Sequence, residues 1–153
     1  MPELNTPMQR ISMGTFADVD RLDLTLRELV SGVVACDQLC LIGCAPHMET
    51  IKSQSRAAAP SHVHALLDKT HAIATLSNGE QLVAAPRPLA CIDYDLERQS
   101  QGLLHGLEQM LIDGVLALLV KSRTIAEFAA VTRALLRHSS HHVRTREVAH
   151  PEV

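Results

Sequence analysis

The residue types best able to do chemistry gather in one short stretch of this 153-residue chain: Cys36, Cys40, Cys44 and His47. Thiolate and imidazole are ligands for zinc and other transition metals, and sulfur also supports redox chemistry. The spacing works against one shared ion. On a straight extended strand Cys40 and Cys44 share a face but lie about 13 Å apart, at ~3.3 Å per residue, whereas zinc holds each sulfur at ~2.3 Å. The paired C-x-x-C motifs of strong zinc sites are also missing from this stretch. The plain alternative is buried thiols that pack as small apolar side chains. The primary expectation is therefore no cofactor, with a metal held by Cys36, Cys40, Cys44 and His47 as the alternative.

Nine histidines are the second reservoir. His62, His64 and His71 would converge only if their segment were extended, and the Ala65-Leu66-Leu67 continuation favours a helix that splays them. His138, His141 and His142 fall at a helix-to-strand turn, where solvated polar residues are ordinary. So many imidazoles would also suit a pH-responsive surface. For catalysis there is no nucleophile elbow, phosphate loop or dinucleotide fingerprint. Asp93 and Asp95 are more simply a strand exit and a helix cap, and neither Cys44 nor Cys91 carries a nucleophile's local signature. No catalytic residue is assigned.

The elements that must position these groups are clearer. Val115 to Val120 is an unbroken apolar run, the pattern of a strand buried on both faces. Thr124 with Glu127 three residues on forms a capping box, and Ile125, Phe128, Val131, Leu135 and Leu136 recur at helical spacing to an end near His138. Val143 to Ala149 alternates, with charges suited to a sheet edge. The front of the chain repeats this plan. Ile11 to Phe16 is a strand, Asp18 an N-cap, and Val19, Leu22, Leu26, Leu29 and Val33 a helical stripe that ends at Gly32 or weakens there. Gln38 to Cys44 is a second buried strand. Two split βαβ units imply an α+β fold: a ferredoxin-like antiparallel sheet with two helices on one face.

Between the halves, residues 45–94 form an insertion too long for a plain loop. Residues 52–60 suit a loop with some helix, and Ser61 would cap a short helix through Leu67. Asn78-Gly79 lies between two alternating runs, 72–76 and 81–85, a hairpin signal in which both turn residues would take positive φ. Leu89 to Tyr94 suits another strand, and a long helix would run from Asp95 to Leu111. Residues 1–9 suit a mobile leader, leaving 10–153 as one domain.

The stretches GTFADVDRLDLTLRELVSG, QLCLIG and LEQMLIDGVLALLVKSRTIAEFAAVTRALLRHSSHHVRTREV resemble bacterial general-stress-type proteins with a split βαβ module, a family mostly of uncharacterised function. The resemblance covers about half of the chain and carries no catalytic motif. It implies a stress-associated, non-enzymatic protein acting through self-association or a partner. The middle departs from that family, since it contains neither a glycine zipper nor an apolar span.

Composition bounds the rest. A net charge of -3 and only three aromatic residues, Phe16, Tyr94 and Phe128, argue against nucleic acid as a partner. No charged and then apolar leader opens the chain, so a cytoplasmic, non-membrane protein is expected, its four cysteines reduced. The expected assembly is a homo-oligomer, most simply a dimer. A metal, redox or small-ligand sensor built on the cysteine stretch is the competing function.

Overall fold

A computed structural model of the chain describes residues 10–32, 34–35, 38–55, 66–67, 70–76, 78–85, 108–139 and 143–147. Its centre is β5 (Leu116–Ser122), in which every residue from Leu116 to Val120 is buried. Two strands flank it, both antiparallel: β1 (Arg10–Phe16), in register from Arg10 opposite Ser122 to Phe16 opposite Leu116, and β2 (Leu39–Cys44), from Leu39 opposite Val120. β1 and β2 are thus parallel to each other with a gap between them, and β5 fills the gap. Likewise β1 fills the gap between β5 and β6 (Arg144–Glu147), which pairs with β1 from Arg10 opposite Glu147. Each split unit is completed by the first strand of the other. Neither half therefore has a continuous sheet of its own, and their four strands lie in the order β2-β5-β1-β6.

α1 (Val19–Val30) and α2 (Ala45–Ser55) follow β1 and β2; α3 (Glu108–Ile112) precedes β5, and α4 (Ile125–His138) follows it. The two helices of the split units start where the sequence places them. Asp18 Oδ1 accepts from Asp20 N at 2.9 Å, and Thr124 Oγ1 accepts from Glu127 N at 3.1 Å. Both side chains satisfy amides that the first helical turn leaves without an acceptor. α1 stops at Val30, earlier than its apolar stripe suggests. Ser31 closes it by donating its N–H to Arg27 O, so Gly32 lies beyond the helix. Apolar residues of the two helices pack on the sheet face formed by Phe16, Leu39, Leu41, Leu116, Leu118 and Val120. The α4 stripe is narrower than its spacing indicates. Ala134 is buried, whereas Leu136 is 65% and Ile125 38% exposed. The opposite sheet face, with Ile11, Met13, Cys40, Ile42, Cys44, Ala117 and Leu119, forms a second buried cluster against which α3 packs.

The insertion extends the sheet. β3 (His71–Thr75) and β4 (Gln81–Ala85) form a hairpin, and β4 joins β2 with Leu41 opposite Ala85, giving the six-stranded order β3-β4-β2-β5-β1-β6. This is an α+β, ferredoxin-like arrangement whose full strand order is altered by the hairpin. The turn differs from the two-residue one expected. Of Asn78 and Gly79 only Gly79 has positive φ, at 89°, and Leu76 N donates to Glu80 O, closing a longer loop. Asn78 contributes its side chain instead, with Oδ1 accepting from Glu80 N. A second difference is α2, which begins directly at Ala45, where the sequence assigned no element, and runs into the segment from residue 52 expected to be loop with some helix. The expected leader 1–9, the strand at 89–94, the helix start at Ser61 and the first part of the Asp95 helix lie outside the described residues.

Candidate functional site

Cys44 ends β2 and Ala45 opens α2 without an intervening loop. This abrupt corner docks on the turn between α3 and β5. Cys44 Sγ donates to Leu111 O at 3.1 Å, the same carbonyl that accepts from Gly114 N. Gly114 has φ +104°, and a Cβ added there would lie 2.8 Å from His47 Cε1. Glycine is required on both counts, by its backbone conformation and by the imidazole packed over it. Glu80 of the hairpin loop and Glu108 of α3 complete the surroundings of the thiol.

Those surroundings decide what Cys44 can do. Burial, first of all, pushes its thiol up from the ordinary value; the charge and hydrogen bonding of Glu80 and the charge of Glu108 add to the effect. A position beside a helix start favours a thiolate in an open site, but here desolvation and two carboxylates prevail. The side chain is held as a protonated thiol, the form that is neither a good nucleophile nor a good metal ligand.

Of the four residues singled out as ligands, Cys36 lies outside the described residues. Cys40 and Cys44 share the inner face of β2 opposite the main helices, both buried and free of disulfides, and His47 is half-buried on α2. Among the described residues no group of three or more His, Cys, Asp and Glu side chains is placed to hold a metal ion. His71 opens β3, while His62, His64, Cys91, Asp93, Asp95, His141 and His142 lie outside the described residues. His138 is engaged elsewhere. Its Nε2 lies 3.1 Å from Glu28 Oε1, and Arg137 donates to Glu28 Oε2 at 2.7 Å, so one carboxylate of α1 holds the last turn of α4.

One buried polar group that spacing did not single out makes three hydrogen bonds. Gln38, 3% exposed, stands just before β2. Its Oε1 accepts from Ala35 N at 2.9 Å, and its Nε2 donates to Lys121 O at 2.7 Å and to Glu127 Oε1 at 3.1 Å. The backbone ladder between β2 and β5 begins at Leu39 opposite Val120, so the amide supplies one further rung through a side chain. Glu127 Oε1 also accepts from Arg123 N, one residue before the expected capping-box donor, Thr124 N. Gln38 therefore links the first split unit to the capped start of α4 in the second. A lone glutamine before a strand carries no local signal of this, since its partners are 83 and 89 residues away in sequence.

A small hollow lined by Ala45, Met48, Glu49, Leu67, Thr70 and Val83 has a volume of about 20 Å³, room for one water. The remaining feature is the sheet's perimeter. Among the described residues β3 pairs only with β4 and β6 only with β1. Among the described residues no helix is long and apolar enough to cross a membrane. No protein-family model, curated protein or solved structure matches the chain.

Proposed function

We propose that this chain is a small non-enzymatic cytoplasmic protein of stress-associated type that works by self-association, as a homodimer, or by contacting a protein partner. The observation that carries this reading is the antiparallel sheet, which among the described residues ends in β3 on one side and β6 on the other. An edge strand presents a row of N–H and C=O groups on which another strand can be added. Among the described residues, three polar side chains with chemical capacity serve cohesion. Cys44 donates to Leu111 O, Gln38 joins the two split units, and Glu28 binds the end of α4. The stress-associated part of the reading rests on the resemblance of the GTFADVDRLDLTLRELVSG and closing stretches. Light scattering coupled to gel filtration, over a hundredfold concentration range, tests the association. A species of twice the chain mass is expected; a strict monomer that also captures no partner strand would overturn the reading.

A further inference from the structure

We infer that Asn78 is a site of spontaneous deamidation, held in check by the folded hairpin loop and released when that loop opens. Asn78 and Gly79 are both exposed between β3 and β4. The chemistry is intramolecular. Gly79 N gives its proton to a solvent base and attacks the side-chain Cγ of Asn78. The new N–Cγ bond closes a succinimide ring as the Cγ–Nδ2 bond breaks, and Nδ2 leaves as ammonia with a proton from solvent. Water then opens the ring to aspartate or isoaspartate. Glycine obstructs this closure least, having no side chain to meet the carboxamide. Asn5, the chain's other asparagine, precedes Thr6, whose branched side chain hinders the same step.

The folded loop engages every group that the closure needs. Gly79 N donates to Leu76 O at 3.0 Å, so losing its proton means breaking that bond. Asn78 Oδ1 accepts from Glu80 N at 3.0 Å, and Asn78 Nδ2 donates to Glu80 Oε1 at 3.1 Å. A backbone N–H can only donate and a carboxylate only accept, which fixes the orientation of the amide between them. Both contacts pin the carboxamide, which must be free to present Cγ to Gly79 N and to release Nδ2. Leu76 N, donating to Glu80 O at 2.8 Å, closes the base of the loop. The product does not refit. Aspartate at 78 sets a carboxylate oxygen where Nδ2 bonds Glu80 Oε1, exchanging a hydrogen bond for a repulsion, and isoaspartate adds a methylene to the main chain of a closed loop. A transient opening is thus converted into a lasting covalent change at the hairpin.

The experiment follows the full chain by peptide mapping and mass spectrometry at mildly alkaline pH, with aspartate and isoaspartate separated chromatographically. In native buffer, modification of Asn78 should be at least about tenfold slower than in guanidinium chloride, because it awaits local opening. In guanidinium chloride Asn78 should be modified faster than Asn5. Glu80→Ala, which removes the acceptor of Nδ2 but keeps the backbone donor to Oδ1, should raise the rate in buffer at least about fivefold, the equivalent of one hydrogen bond. Gln38→Leu, a change at the end of β2 far from this loop, should not raise it, since the route is local opening and not global unfolding. Thermal melts establish that both variants are folded. Equal rates in buffer and denaturant, an Asn78 that stays intact in denaturant, or a Glu80→Ala rate no faster than wild type each overturn the inference. So does a Gln38→Leu rate raised as far as that of Glu80→Ala.

Discussion

Gln38→Leu tests whether the two split units are joined as described. The substitution keeps a side chain of similar size at a position 3% exposed but removes three hydrogen bonds at once. Each of the two neutral bonds, from Ala35 N and to Lys121 O, has a net worth of about 1 kcal/mol, and the bond to the Glu127 carboxylate about 1.5 kcal/mol. The buried leucine returns about 1 kcal/mol through its additional apolar surface. A net loss of about 2.5 kcal/mol is expected, out of a total of roughly 5–15 kcal/mol for a domain. Urea denaturation measures it directly: the midpoint should fall with the slope unchanged, because the surface exposed on unfolding is the same. In a chain of this length the melting temperature should drop by roughly 5–10 °C. A double-mutant cycle with Glu127→Ala isolates the contact between the two side chains, where a coupling of about 1 kcal/mol is expected. A loss under about 1 kcal/mol, or a coupling indistinguishable from zero, would refute the account of Gln38 as the link between the halves.

Gly114→Ala should destabilise by roughly 2 kcal/mol or more, because φ +104° is strained for alanine and the new methyl group meets the His47 ring. Combining it with His47→Ala should recover only the steric part of that loss. Cys44 makes stability depend on alkaline pH with a definite sign. The folded state holds its proton more tightly than the unfolded chain does, so stability is unaffected below the ordinary thiol value of about 8.5 and declines as pH rises towards the higher folded value. Urea midpoints measured from pH 7 to 10 should show that decline, and Cys44→Ala should flatten it. Ser122→Ala should be neutral or stabilising by up to about 1 kcal/mol in the same assay, since Ser122 Oγ is buried without a hydrogen-bond partner, as are Ser12 Oγ and Thr15 Oγ1.

What was legible in the sequence was what near neighbours decide. The apolar run before Lys121 is β5, Asp18 and Thr124 cap the helices by bonds spanning two and three residues, and the repeated strand-helix plan specifies an α+β sheet with the two helices of the split units on one face. Local pattern also located the hairpin, although an Asx-type contact from Asn78 replaced the tight turn. α2 was missed because its residues, APHMETIKSQS, present no continuous apolar stripe; Met48 and Ile51, with Ala45 packed against the same cluster, anchor it to the core. The site was much less legible. Cys36, Cys40, Cys44 and His47 are close in sequence, but chain proximity does not determine what a side chain faces. Only folding brought Glu80, Glu108 and Leu111 to Cys44, Lys121 and Glu127 to Gln38, and Gly114 under His47. Helix caps and apolar periodicity are settled within one or two turns of chain, whereas proton affinity and buried polar pairing are set by groups that only the interleaving of the two halves brings together.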